Sequence, residues 1–128
     1  MHHKITTLVL TFVIGILLGF QSITAEAAVG TCSFYTLDGR KTSSGETFSR
    51  WQYTAAHRTF PNGSIVRVTN IKTKKSVIVR INDYGPMDTS RSIDLSKSAF
   101  GQIASYKDGL VKVKIKLLKR GKVRGRKT

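Results

Sequence analysis

VIVRINDYGP, residues 77–86, opens as a strand and closes on a carboxylate, a tyrosine and a Gly-Pro bend. Val77, Val79 and Ile81 fall on one face by the two-residue period of a strand. Asp83, at the end of that strand, admits two readings. It is a turn residue paired at the surface with Arg80, or it is a catalytic acid whose direction is fixed by the Gly85-Pro86 bend. The flanking sequence supplies the frame for choosing.

Upstream, SIVRVTN at 64–70 is a second strand rich in β-branched residues, which suit a pleated surface. IKTKK at 71–75 joins the two strands as an exposed hairpin loop. GTCSFYT at 30–36 is short and aromatic-rich, and WQYTAAH at 51–57 reads as a helical turn followed by a short strand. LDGRKTSSGE at 37–46 and FPNGS at 60–64 are turn chemistry, and the Asn62-Gly63-Ser64 sequon is taken as a turn only. Downstream, RSIDL at 91–95 is a short strand, and Ser96 is expected to cap a helical stretch KSAFGQIAS. In that stretch Ala99, Phe100 and Ile103 face the core. LVKVKIKLL at 110–118 alternates strictly, a half-buried strand with lysines outside. Five or six short strands and one helix within about 90 residues suit a small closed barrel.

The chain of 128 residues begins with a basic start at Met1–Lys4, an uncharged apolar run from Ile5 to Phe20, and a small polar stretch ending in Ala25-Glu26-Ala27. That order is a secretory signal peptide, with cleavage expected before Ala28. The apolar run falls short of the ~18–20 residues that span a bilayer comfortably, so no membrane anchor is expected after cleavage. What remains is about 100 residues, one domain, followed by a basic tail at 119–128 expected to be disordered. Lys4 and Glu26 offset each other, so the mature chain keeps the full net charge of +15. Such a balance calls for an anionic partner. Export directs that charge to anionic cell-wall polymers in the periplasm or the extracellular wall, and away from nucleic acid.

Cys32 is the one cysteine, which excludes an intrachain disulfide. It lies twelve residues past Phe20 behind Thr31, so it reads as a buried strand residue and not a lipidation site. One cysteine and one mature-chain histidine, His57, form no ligand cluster, so neither a metal nor a cofactor is expected. The acids are few. Asp38-Gly39 and Asp108-Gly109 are turn pairs, Asp94 stands before the helix, and Asp88 lies in a polar loop. Glu46, His57 and Asp83 remain. A loop carboxylate, a strand-end histidine and a strand-end carboxylate can meet at one barrel mouth. Sugar-cleaving enzymes need such a carboxyl to protonate a leaving oxygen, although each of the three has a structural reading too.

GRKTSSGETF, TAAHRTFPNGSIVRVTN, VIVRINDYGP and RSIDLS, taken in order, resemble the RlpA-like (rare lipoprotein A) domain from about Gly30 to Leu118. The resemblance implies a six-stranded double-psi β-barrel, related to barwin, expansins and membrane-bound lytic transglycosylase A. It implies an endolytic peptidoglycan transglycosylase, often favouring glycan strands stripped of stem peptides. The family's active-site glutamate, histidine and aspartate fall on Glu46, His57 and Asp83. The chain departs from the pattern at Ser49, where an acid is frequent, at Tyr84, where arginine is common, and at Cys32, where alanine is usual. Neither a lipobox nor a C-terminal glycan-binding repeat is visible.

The expected enzyme is a monomer acting on peptidoglycan glycan strands. Asp83 is expected to serve as acid and then base, Glu46 to shape its field, and His57 to position one of them or the sugar. Tyr53, Tyr84 and Trp51 are candidate stacking residues, with a core position as the other reading of Trp51. Arg80 is a candidate substrate contact. Two rivals are a non-catalytic expansin-like wall-binding module and a basic secreted protein that acts on an anionic envelope by charge alone. N-terminal sequencing of exported protein is expected to begin within a residue or two of Ala28. An N-terminal, diacylglycerol-modified Cys32 would overturn that processing.

Overall fold

The β-branched runs of this sequence close on themselves. In the computed structural model, which describes residues 27–122, six strands form one barrel in the order β1-β5-β2-β4-β3-β6. They are β1 (Ala28–Tyr35), β2 (Thr54–Ala56), β3 (Ile65–Asn70), β4 (Ser76–Asp83), β5 (Ile93–Ser96) and β6 (Val111–Lys119). A short helix α1 (Lys97–Gly101) follows β5, and a 3-10 turn (Tyr106–Asp108) precedes β6. Two pairs are parallel, β1 with β5 and β2 with β4, and the other neighbours are antiparallel. Closure leaves no free sheet edge to template aggregation.

The two-residue period sets what lies inside. Val77, Val79 and Ile81 of β4 are buried together with Val66 and Val68 of β3 and Val113 and Ile115 of β6. Lys112, Lys114 and Lys116 stand outside on β6. Cys32 is fully buried in β1, and burial pushes its thiol up, so it packs as a small apolar residue. The β3–β4 hairpin forms at 71–75 as expected, its turn tied by Asn70 Oδ1, which accepts from the Lys72 and Thr73 N–H groups at 2.9 and 3.3 Å. Gly39 and Gly109 adopt the positive φ expected of their turns.

The helix differs from its expectation. Ala99, Phe100 and Ile103 are buried as read, but the helix stops at Gly101. Glycine is a poor helix former, and Ser105 starts the 3-10 turn by accepting the Lys107 N–H at 3.4 Å. Ser96 does not cap the helix. Its hydroxyl donates to the Gln52 carbonyl at 2.5 Å, tying β5 to the segment before β2. Asp94 does not serve the helix terminus either, because Arg91 takes its carboxylate. The basic tail is also corrected in part. Residue Lys119 completes β6 opposite Ile65, and the Gly121 N–H donates to Ser64 Oγ at 2.9 Å, so the chain is held there by sheet pairing and a side-chain acceptor. Residues 123–128 and the leader at 1–26 lie outside the described residues. Among the described residues, no helix is long and apolar enough to cross a membrane.

Phe100 joins α1 to the barrel, with its ring 4.8 Å from that of Phe34 on β1. Phe100→Ala is expected to lower the unfolding free energy by about 3–5 kcal/mol, read by urea denaturation. A loss below about 1 kcal/mol would mean that the helix is not part of the core.

Candidate active site

KTSSGET, residues 41–47, is too polar and glycine-containing for a strand, and it folds into a tight hairpin laid along β4. Lys41 bridges Thr47, the Thr42 N–H donates to the Glu46 carbonyl at 2.8 Å, and Gly45 turns with φ +88°, a value that favours glycine. Three contacts fasten this hairpin to β4. The Ser44 N–H donates to the Asn82 carbonyl at 3.2 Å, and the Ser43 N–H donates to Asp83 Oδ1 at 3.0 Å. The Glu46 carboxylate takes both terminal nitrogens of Arg80, one of them at 2.9 Å.

Asp83 is thereby fixed. The N–H of Tyr84 also donates to Oδ1, at 2.9 Å, while Oδ2 has no hydrogen-bond partner among the described residues. The bend that follows is set by Gly85 at φ +143° and by Arg58, which donates to the carbonyls of Pro86 and Arg91 at 2.8 Å each. The surface pair between Asp83 and Arg80 considered from sequence is not made. Arg80 faces the hairpin and holds the Glu46 carboxyl below its usual range by hydrogen bonding, against an opposing effect of burial.

His57 sits at the end of β2, one register step from Asp83. Its own N–H donates to the Asp83 carbonyl at 3.1 Å. Its ring Nδ1 accepts from the Phe60 and Thr59 N–H groups at 3.0 and 3.2 Å, and the ring stacks on Phe60 at 4.1 Å. An accepting Nδ1 makes Nε2 the protonated nitrogen of the neutral ring, and so a donor. Burial, with help from the Arg58 charge, holds the imidazole below its ordinary value and favours that neutral form.

Two clefts meet at the Ser43–Asp83 hydrogen bond. One, of about 430 Å³, is lined by Ser43, Ser44, Glu46, Asn62, Arg80 and Lys122. The other, of about 230 Å³, is lined by Tyr35, Leu37, Asp83, Tyr84, Arg91 and Asp94. Glu46 and Arg80 face the first cleft and Asp83 and Tyr84 the second, whereas His57 lines neither and is joined to Asp83 through its backbone N–H. Tyr53 is half exposed, and its carbonyl accepts the Arg80 N–H. Trp51 is not core. It is 79% exposed in the turn before β2, where it lines a separate cleft with Lys97 and Tyr106. Among the described residues, no group of three or more His, Cys, Asp or Glu side chains gathers as a metal site would.

Two residues escaped the sequence reading. Tyr35 ends β1 with its hydroxyl buried and unpartnered in the Asp83 cleft, its phenol pushed up by burial and then by the charges of Asp83 and Asp94. Asn82 is 1% exposed, and neither atom of its amide has a hydrogen-bond partner, although it lies near enough to Glu46 to help lower that carboxyl. A polar residue on the outward face of an apolar strand was the available signal for Asn82. Nothing but the aromatic end of β1 pointed to Tyr35.

Residues 27–115 match the family described as lytic transglycolase, and the chain belongs to that family. Among curated relatives, the endolytic peptidoglycan transglycosylase RlpA of Haemophilus influenzae is 46% identical over 91 residues, covering 70% of this chain and 32% of that protein. The protein of the same name from Neisseria meningitidis is 49% identical over 88 residues, covering 67% of this chain and 37% of its own. The chain thus spans about a third of the length of these relatives. In fold it is similar to an expansin of Clavibacter michiganensis, with a TM-score of 0.62 at 17% identity over 76% of this chain and 52% of that one. It is also similar to a Streptomyces papain inhibitor, with a TM-score of 0.58 at 21% identity over 70% of this chain and 94% of that one. The barrel is the double-psi β-barrel that the sequence motifs implied.

The depressed imidazole has a stability consequence. Below the ordinary histidine value of about 6.5, the unfolded chain takes up a proton that folded His57 still refuses. Stability should therefore fall as pH drops from about 6.5 towards the lower folded value, and His57→Asn, which keeps an acceptor for the loop, should flatten that slope. An NMR titration of the ring checks the premise, and a midpoint at or above 6.5 would contradict it.

Proposed function

We propose that this chain is an exported lytic transglycosylase that cleaves the MurNAc–GlcNAc bonds of peptidoglycan glycan strands, leaving 1,6-anhydro-MurNAc ends. The observation that carries the reading is the carboxylate of Asp83, held from one side by two backbone N–H groups with its other oxygen unpartnered in a cleft, within a chain of the lytic transglycolase family.

In this reading the acid form of Asp83 carries its proton on Oδ2, the oxygen without a hydrogen-bond partner among the described residues. It gives that proton to the bridging oxygen as the bond from the anomeric carbon to that oxygen breaks, so the leaving sugar departs with a neutral hydroxyl. The positive charge developing at the anomeric carbon is met by the 6-hydroxyl of the same muramic acid. As that oxygen bonds to the carbon, its proton returns to Asp83, which ends as it began. No water is consumed. His57 acts as a positioning residue, its N–H on the Asp83 carbonyl and its ring tying the loop that follows β2. Tyr84, half exposed beside Asp83, provides a face for a pyranose ring. Glu46 acts differently from the expectation that it charges the field around Asp83. Paired with Arg80, it pins the hairpin whose Ser43 N–H orients the acid, and its own charge is locally balanced.

The site lies on a barrel with a net charge of +15 for the whole chain, which suits an anionic wall polymer as the setting for catalysis. The compartment follows from the leader in the sequence, whose cleavage before Ala28 would deliver the domain outside the cytoplasm.

Asp83→Asn keeps the shape and removes the transferable proton. It is expected to fold normally, bind peptide-free strands and lose about 10²–10⁴-fold in turnover, read by mass spectrometry of anhydro-muramic ends. Retention of near wild-type release would sink the mechanism. Binding of strands by the wild type with no anhydro products would leave the expansin-like wall-binding module.

A further inference from the structure

The segment after β6 does not leave the barrel freely. The N–H of Gly121 donates to the fully buried Ser64 at 2.9 Å. A Cβ at position 121 would stand 2.3 Å from the Asn62 carbonyl and 2.6 Å from the Ser64 nitrogen. The strap therefore rests on the Asn62–Ser64 turn at a separation that only glycine permits. Lys122, the next residue, is carried by this contact into the wall of the larger cleft, with Ser43, Asn62 and the Glu46–Arg80 pair. Glu46 and Arg80 satisfy each other, whereas Lys122 makes no ion pair among the described residues. The cleft therefore presents one uncompensated cation among hydroxyl and amide groups. The strap lies beyond the residues matched to the family, which end at 115.

We propose that Lys122 is a specificity-determining residue that receives a carboxylate carried by the glycan. On a muramic acid without a stem peptide, the lactyl group ends in a free carboxylate. Where the peptide remains, the same carbon is a neutral amide. A cation fixed at the cleft wall separates the two by charge at the point where they differ, and so favours peptide-free strands. This inference rests on the reading of glycan strands as the substrate.

The test measures binding rather than turnover. Peptide-free GlcNAc–MurNAc oligosaccharides are compared by calorimetry with the same oligosaccharides whose lactyl carboxylates are converted to methylamides. The mature chain carries Asp83→Asn throughout to prevent cleavage. At low salt the acid form is expected to bind about fivefold tighter, with the difference shrinking as ionic strength rises. Lys122→Gln should abolish the difference. Gly121→Ala should do the same with Lys122 still present, because the strap can no longer seat. Lys116→Gln removes an equal charge from the outer face of β6 and should leave the difference intact. The inference is overturned if Lys122→Gln keeps the preference, if Lys116→Gln erases it equally, or if the parent binds both forms alike. Binding of neither form would instead contradict the glycan reading itself. Should Gly121→Ala fail to fold, the exposed Lys122→Gln still decides.

Discussion

The hydrogen bond from the Ser43 N–H to Asp83 Oδ1 is the contact on which the site depends. It joins a polar hairpin that has no core of its own to the end of β4, a strand with one face in the core. Ser44 on the Asn82 carbonyl and Glu46 on Arg80 repeat the attachment along the same strand. Each bond is modest by itself, about 1 kcal/mol net, and the exposed ion pair is worth no more. Their value is positional. They fix one oxygen of a carboxylate and leave the other in a cleft, on a strand whose inner face is held by Val77, Val79 and Ile81. A reacting group on such a support keeps its direction, which is what proton transfer requires.

Charge is divided in the same spirit. Glu46 is tied to Arg80, Asp94 and Asp88 share Arg91, and Asp38 takes Arg50. Of the acids facing the two clefts, Asp83 is the one served only by backbone N–H groups. The neighbouring histidine is held below its ordinary value by burial and by a positive neighbour, which favours its neutral form. Lys112, Lys114 and Lys116 stand on the outer face of β6, away from the barrel interior, while Lys122 of the strap lines the cleft beside Glu46 and Arg80.

Much of the barrel was legible because alternation is a strong signal where one face is buried. The strands at 64–70, 76–82 and 110–118 appear within a residue or two of their expected bounds. The helix was overextended because Ala99 and Ile103 are both buried, and burial alone does not tell a helix from the irregular turn that follows Gly101. Ser96 looked like a cap because serine before an apolar run is a common one, but the Gln52 carbonyl, just before the neighbouring strand β2, competes for its hydroxyl. Glu46, His57 and Asp83 were singled out as candidates through ordered motifs. The partner of Arg80 was not, since it depends on how a distant hairpin drapes over β4. Asn82, Tyr35 and the seating of Gly121 are likewise tertiary facts. Each is set by what lies across from it, and no local pattern records that.

The most direct test of the proposed chemistry follows the free protein through pH by NMR, watching the Asp83 carboxyl carbon and the Ser43 amide proton, beside the pH dependence of kcat/KM on peptide-free strands. The last of these reports groups of the free enzyme. If Asp83 carries the transferred proton and Ser43 fixes it, the carbon, the amide proton and the high-pH limb of the rate share one midpoint. A Ser43 amide that is silent while Asp83 titrates, or a rate limb that follows another group, contradicts the claim.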